Sequence, residues 1–325
     1  MKKFLSRRQF IIFLALFFQK IKAFSFERRS IKTKILKFPG VFGLNIIENE
    51  LYAPSLTRNS LIKYNEKNFK ISYLNDFNVG WERTLKKKDI LKSIHYADIY
   101  NQKLLLTFYH TNKVILYNIY SKKIIDLTRV NPDKKINGPS VSIFIKDKKL
   151  ICVSEYHGNV SFYDLSGKFV LDIKKKLNLL KIKKPHTTKY FNGRYFIIDT
   201  ASKKINILNK LFDLEKTINN SNINSQYKNL KQIKLQTPVS INNYKNQFYF
   251  VSDVISGIII FDLNFKILGN INNNNLIFKN LTFEIPEVYK PYDAILEDSN
   301  LYIANTHKDN VLKLYNFNEI LNSDI

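Results

Sequence analysis

Cysteine is nearly absent. Cys152 is the only one, so no internal disulfide can staple the chain and its stability must come from packing. Cys152 lies in an apolar stretch, where a thiol serves as a small hydrophobe. Acidic residues are scarce too: 27 Asp and Glu face 52 Lys and Arg, for a formal net charge of +25. Such an excess can mark a nucleic-acid binder. Here, however, lysine is spread through nearly every turn and loop, with residues 86–88 and 174–184 as the densest runs. That pattern reads as solvated surface, with at most a weak attraction to anionic lipid or cell-wall polymer, and it disfavours nucleic acid as a partner. The chain has no Gly-x-Ser-x-Gly, His-Glu-x-x-His or Cys-x-x-Cys motif and no phosphate loop, which disfavours serine hydrolases, zincins and nucleotide enzymes. Beyond the N-terminus no apolar run is long enough to span a membrane.

What the chain does have is a repeat. An apolar run, a polar turn and a second apolar run recur six times, as in LICVSEYHGNVSFYD from Leu150 and FYFVSDVISGIIIFD from Phe248. The units start at Leu51, Leu104, Leu150, Tyr195, Phe248 and Leu301, 45 to 53 residues apart. The runs are short, rich in Ile, Val, Tyr and Phe, and bounded by Asn, Asp, Gly and Lys, as strands are. Another short strand precedes each unit (residues 141–146 and 239–243 are examples) and a fourth follows (residues 121–127, 167–173 and 264–271). Four antiparallel strands in each of six units predict an all-β, six-bladed β-propeller. The last unit's own fourth strand, residues 317–321, is weak and could equally be a helical turn. An orphan strand at residues 31–38 is therefore expected to pair with the last blade and close the ring, removing an exposed sheet edge. Residues 75–92, 219–236 and 272–289 are expected to be inter-blade loops on the binding face, the first holding Trp81, the only tryptophan.

The run Glu155-Tyr156-His157-Gly158-Asn159-Val160, followed by Phe162-Tyr163-Asp164-Leu165-Ser166-Gly167, resembles the NHL-repeat propellers. Residues 252–262 are the next best match, and the resemblance extends over roughly residues 41 to 316. It implies the fold much more than an activity, because this superfold hosts binders, hydrolases and lyases alike.

The N-terminus stands apart. Lys2, Lys3, Arg7 and Arg8 precede an apolar run at residues 10–18, which has signal-peptide length. Ser6-Arg7-Arg8-Gln9-Phe10-Ile11 resembles the twin-arginine export signal, and Lys20 and Lys22 near the expected cleavage after Ala23 fit that route. Residues 1–23 are thus expected to be an export signal and residues 24–325 a single propeller acting in the periplasm or another extracytoplasmic space. An ordinary secretory signal and an uncleaved anchor are the alternatives.

Counting back nine residues from each unit start gives Phe42, His95, Val141, His186, Val239 and Tyr292. By analogy with propellers these positions open the innermost strands at the mouth of the central channel. The pattern resembles the peptidyl-hydroxyglycine lyase branch of these propellers, in which three histidines on alternate blades hold zinc. The resemblance implies His95 and His186 as ligands of a divalent metal (zinc, calcium or iron) and puts Tyr292 in the third place as acid, base or ligand, although tyrosine binds zinc poorly. The alternative is that the two histidines are channel residues satisfied by water or backbone. His110, His157 and His307 fall in the turns inside the units and are expected on the same face, as ligand-face candidates beside Trp81. A second resemblance, to gluconolactonase-like propellers, implies a cation held by carboxylates, for which Asp98, Glu155, Asp199, Asp253 and Asp293 are the candidates. Glu155, Asp199, Asp253 and Asn305 also recur at one place in the repeat, where such residues cap turns. Two functions remain open. One is a monomeric, non-catalytic propeller binding a small molecule, glycan or protein at the channel mouth; the other is a metal-dependent lyase or lactonase at that mouth.

Overall fold

The computed structural model describes residues 29–47, 50–55, 60–65, 70–73, 94–118, 120–121 and 123–322. The expected export signal, Trp81 and the rest of residues 75–92 lie outside the described residues. Among the described residues no helix is long and apolar enough to cross a membrane.

Six antiparallel sheets form the six blades of a propeller. The strands nearest the channel are Asn45–Ile47, Ile94–Tyr100, Pro139–Ile145, Pro185–Phe191, Pro238–Tyr244 and Pro291–Glu297, for blades 1 to 6. Blade 3 shows the pattern outward from there: Leu150–Glu155, Asn159–Asp164 and Phe169–Asp172. The turns that leave the inner strands of blades 2, 4 and 6 are two-residue turns with positive φ at both positions: Asn101 and Gln102, Asn192 and Gly193, Asp298 and Ser299. That conformation matches the right-handed twist of the paired strands and selects Asn, Asp and Gly.

The core is divided into six apolar wedges, each between neighbouring blades. Blades 5 and 6, for example, share Phe250, Ile260, Ile303 and Phe317, and blades 2 and 3 share Leu105, Leu116, Phe144 and Val153. The middle strands are buried on both faces, so they read as continuous apolar runs such as KVILYN and GIIIFD. The ring closes as expected. Thr33–Lys37 pairs antiparallel with Asn310–Leu314 of blade 6, and Leu36 and Phe38 enter the wedge between blades 6 and 1. Residues Phe317–Leu321 form the helical turn.

One expectation is corrected. Residues 272–289 are not a loop but a β-hairpin, with Ile267–Phe278 pairing with Leu281–Val288. The reason is alternation: Leu276, Phe278, Phe283 and Ile285 all point into the wedge between blades 5 and 6, on either side of a turn containing Lys279 at φ 52°.

Candidate functional site

Every described inner strand that pairs through its upper end begins with a β-bulge. The register slips at His95, Ser140, His186, Val239 and Tyr292, one residue after Ile94, Pro139, Pro185, Pro238 and Pro291. Proline is tolerated there because the first residue of a strand need not donate to the ladder. A bulge re-aims a side chain, and here it turns one residue per blade toward the channel. Phe42 of blade 1 completes the ring. In blade 3 the bulged residue is Ser140, not the counted Val141. The hairpin register is the same as in blade 2, but the bulge falls one residue pair farther from the unit start, between Val141–Ser154 and Pro139–Glu155 rather than between the equivalents of Tyr96–Thr107 and Ile94–Phe108.

The turn carboxylates hold these bulges in place. Asp253 accepts from the backbone N–H groups of Gln236 (2.7 Å) and Thr237 (2.8 Å), just before Pro238, and from Ile255 and Ser256 in its own turn. Asp199 takes Lys183 and Lys184 before Pro185, Glu155 takes Asn137 before Pro139, and Asn305 takes Tyr289 before Pro291. Their oxygens are thus engaged by the chain itself.

The two histidines lie side by side with ring centroids 5.8 Å apart, and Tyr292 is 6.4 Å from His95 and 6.1 Å from His186. Nδ1 of His95 is 2.6 Å from the carbonyl of Ser140, and Nδ1 of His186 is 2.9 Å from the carbonyl of Val239. A carbonyl can only accept, so Nδ1 carries the proton and Nε2 is left as a lone-pair acceptor in each ring. Burial pushes the His95 imidazole down to about 4. Burial, with His95 adding repulsion, pushes His186 down to about 3. Both rings are therefore neutral near pH 7. Burial raises the Tyr292 phenol, which stays protonated.

The channel is stepped. At the top is a cavity of about 310 Å³ walled by Phe42, His95, Tyr109, Tyr156, His186 and Tyr292, with His110 on its rim. Beneath it, between His95, His186, Thr187, Ser240, Tyr292 and Asp293, is a chamber of about 10 Å³, room for about one water. Tyr96 forms its floor and accepts a hydrogen bond on Oη from Lys189 Nζ at 2.7 Å. A lower cavity of about 340 Å³ follows.

The sequence-predicted residues separate accordingly. His95, His186 and Tyr292 meet at the mouth. His110 and His157 pack against Tyr109 and Tyr156 of the same rim. His307 packs on Tyr289 at 6.0 Å and does not line the mouth cavity. Asp98 and Asp293 lie deeper in the channel, and Glu155, Asp199 and Asp253 are turn clamps rather than a cation cradle. Tyr109 and Tyr156 were missed. Their signal was the Tyr-His pair that opens the turn in both units.

Among the described residues no three His, Cys, Asp or Glu side chains gather to hold a metal ion. Each imidazole presents an unprotonated Nε2, as a metal ligand must, whereas the third place holds the protonated phenol of Tyr292, a weak zinc donor.

The chain matches no protein-family model and no curated protein. Its likeness is to solved structures. A virginiamycin B lyase from Staphylococcus aureus superposes with a TM-score of 0.57 over 88% of this chain and 99% of that one, at 13% identity. A protein of unknown function from Bacteroides thetaiotaomicron gives 0.58 over 89% and 73%, at 10% identity. A nidogen/laminin complex gives 0.50 over 69% and 76%, also at 10% identity. What this chain shares with a lyase and with a protein-binding complex is the six-bladed propeller fold.

Proposed function

We propose that the chain is an exported, NHL-type propeller that binds a compact ring-bearing small molecule at the channel mouth and does not transform it. The observation that carries this reading is the wall of the upper cavity: aromatic rings and two neutral imidazoles, with no Asp or Glu among the described lining residues. Aromatic walls favour a flat or ring-shaped apolar body, and the two Nε2 acceptors call for hydroxyl or N–H donors on it. Lys184 Nζ, 4.7 Å from the centroid of the Tyr156 ring, disfavours a cationic ligand. Ligand-observed NMR with hydroxylated aromatic and pyranose fragments tests the reading. Saturable binding should weaken about tenfold or more in His186→Ala and in Tyr156→Ala; equal binding by both variants, or no saturable fragment at all, would sink it.

A second reading, a lyase, is favoured by the unprotonated Nε2 of His186 beside a protonated Tyr292, a base and an acid at one mouth. In the virginiamycin B lyase crystallised with quinupristin, the catalytically inactive form is a histidine-to-alanine variant. Mass spectrometry of bound fragments separates the two readings, since only a lyase consumes them. Export by the twin-arginine route rests on Arg7 and Arg8. Unchanged export after both are replaced by Lys would remove that claim.

A further inference from the structure

The lower cavity has no place in the mouth reading, yet its polar groups are unequally matched. Asp98 accepts from Asn45 Nδ2 and the Ile99 N–H on one oxygen and from the Phe144 N–H on the other. Asp293 accepts from Ser240 Oγ, Asn242 Nδ2 and the Ala294 N–H on one oxygen and from the Leu44 N–H on the other. Both carboxylates are surrounded by donors. Lys189 has no such shell. Its ammonium makes one hydrogen bond among the described residues, to Tyr96 Oη, and forms no direct ion pair there. Asp98 and Asp293 act on it only through space; burial works against its charge, and Tyr96 and these two carboxylates outweigh that effect and keep it charged. Its other two N–H groups have no hydrogen-bond partner among the described residues, and Lys189 lines the cavity.

The rest of the wall is mixed: Ile143, Phe144, Ile145, Phe191 and Ile295 form its apolar part, while Asn45 and Asp98 are hydrogen-bonded to each other and Asn242 to Asp293. Lys146 and Asp147, both exposed at the outer rim, offset each other. A buried ammonium is costly without acceptors, so the missing partner should be an anionic oxygen, and the apolar part of the wall asks for an apolar body behind it.

We propose that the lower cavity is a second ligand site, which takes a small monocarboxylate with an apolar body and holds it through Lys189. The site lies at the opposite end of the channel from His95 and His186, with the Tyr96 ring between them. It does not depend on what the mouth binds.

Fluorine NMR with p-fluorobenzoate as probe, on the purified propeller, tests this directly. Wild type should bind it saturably. Lys189→Met should weaken binding about tenfold or more, as loss of a charge-assisted hydrogen bond does. Ile295→Trp, which fills the cavity and leaves the ammonium in place, should abolish binding, so the test survives a poorly folded Lys189 variant. His186→Ala should leave binding unchanged, and neutral p-fluorobenzamide should bind about tenfold more weakly than the acid. The proposal is overturned if wild type shows no saturable binding, if the amide binds as well as the acid, if a folded Lys189→Met binds normally, or if His186→Ala is the variant that loses the probe.

Discussion

Each imidazole at the mouth has one nitrogen tied to the backbone of the next blade, which fixes its tautomer, while burial keeps the ring neutral. The consequence is a pH dependence with a definite sign. The ordinary imidazole value is 6.5, against about 4 for folded His95 and about 3 for folded His186. Between those values the unfolded chain binds protons that the folded chain does not, so stability is full above the ordinary value and falls as pH drops through that window. The slope is up to roughly 1.4 kcal/mol per pH unit for each ring. Urea unfolding at about pH 7 and about pH 5 should show a smaller loss in His95→Gln/His186→Gln than in wild type. An equal loss would mean the rings are protonated in the fold. A second expectation concerns metal. Protein purified without chelator should carry no stoichiometric zinc, by elemental analysis, because the third donor is the protonated Tyr292.

Within the blades, the decisive device is the clamp between a turn carboxylate and the loop that enters the inner strand. Asp253 is fully buried and takes four backbone donors. Asp253→Ala should lower unfolding free energy by about 3 kcal/mol or more, since several buried N–H groups lose their acceptor; Asp253→Asn should cost less. A loss under about 1 kcal/mol in urea would show that water replaces the carboxylate. Gly257, four residues on, has φ +86°, and a Cβ there would meet the Ile271 carbonyl at 2.1 Å. Gly257→Ala should therefore destabilise by about 2 kcal/mol or more in the same measurement. The repeating carboxylate was readable as part of the repeat. That it places the bulge on a neighbouring strand was not, because the pairing of Asp253 with Pro238 is set by a hairpin between them.

Across the whole molecule, hydrogen bonds run round the channel from blade to blade. His95 reaches Ser140, Ser140 reaches the carbonyl of His186, His186 and Thr187 reach Val239, and Ser240 reaches Asp293. The Leu44 N–H donates back to Asp293, and Asn45 donates to Asp98. The circuit exists only while the ring is closed by Thr33–Lys37 on Asn310–Leu314. Deleting residues 1–38 removes that strand with Leu36 and Phe38 and bares the edge of blade 6. The shortened propeller should associate on size-exclusion chromatography and lose its single cooperative unfolding step; a monomer with unchanged unfolding would show that the closing strand is dispensable.

Strands, turns and blade number were legible because they are local. Alternation, continuous apolar runs and Asn-Gly-type turns act over a few residues, and the six units repeat them. The count-back reached His95, His186 and Tyr292 for the same reason, and failed by one residue at Ser140, where the paired strands run one residue farther before the bulge. The tautomers, the stepped channel and the Tyr96–Lys189 contact belong to closure. They join residues 45, 53 and 93 positions apart. No local pattern encodes such pairs, because the side chains meet only when the blades are packed into one ring.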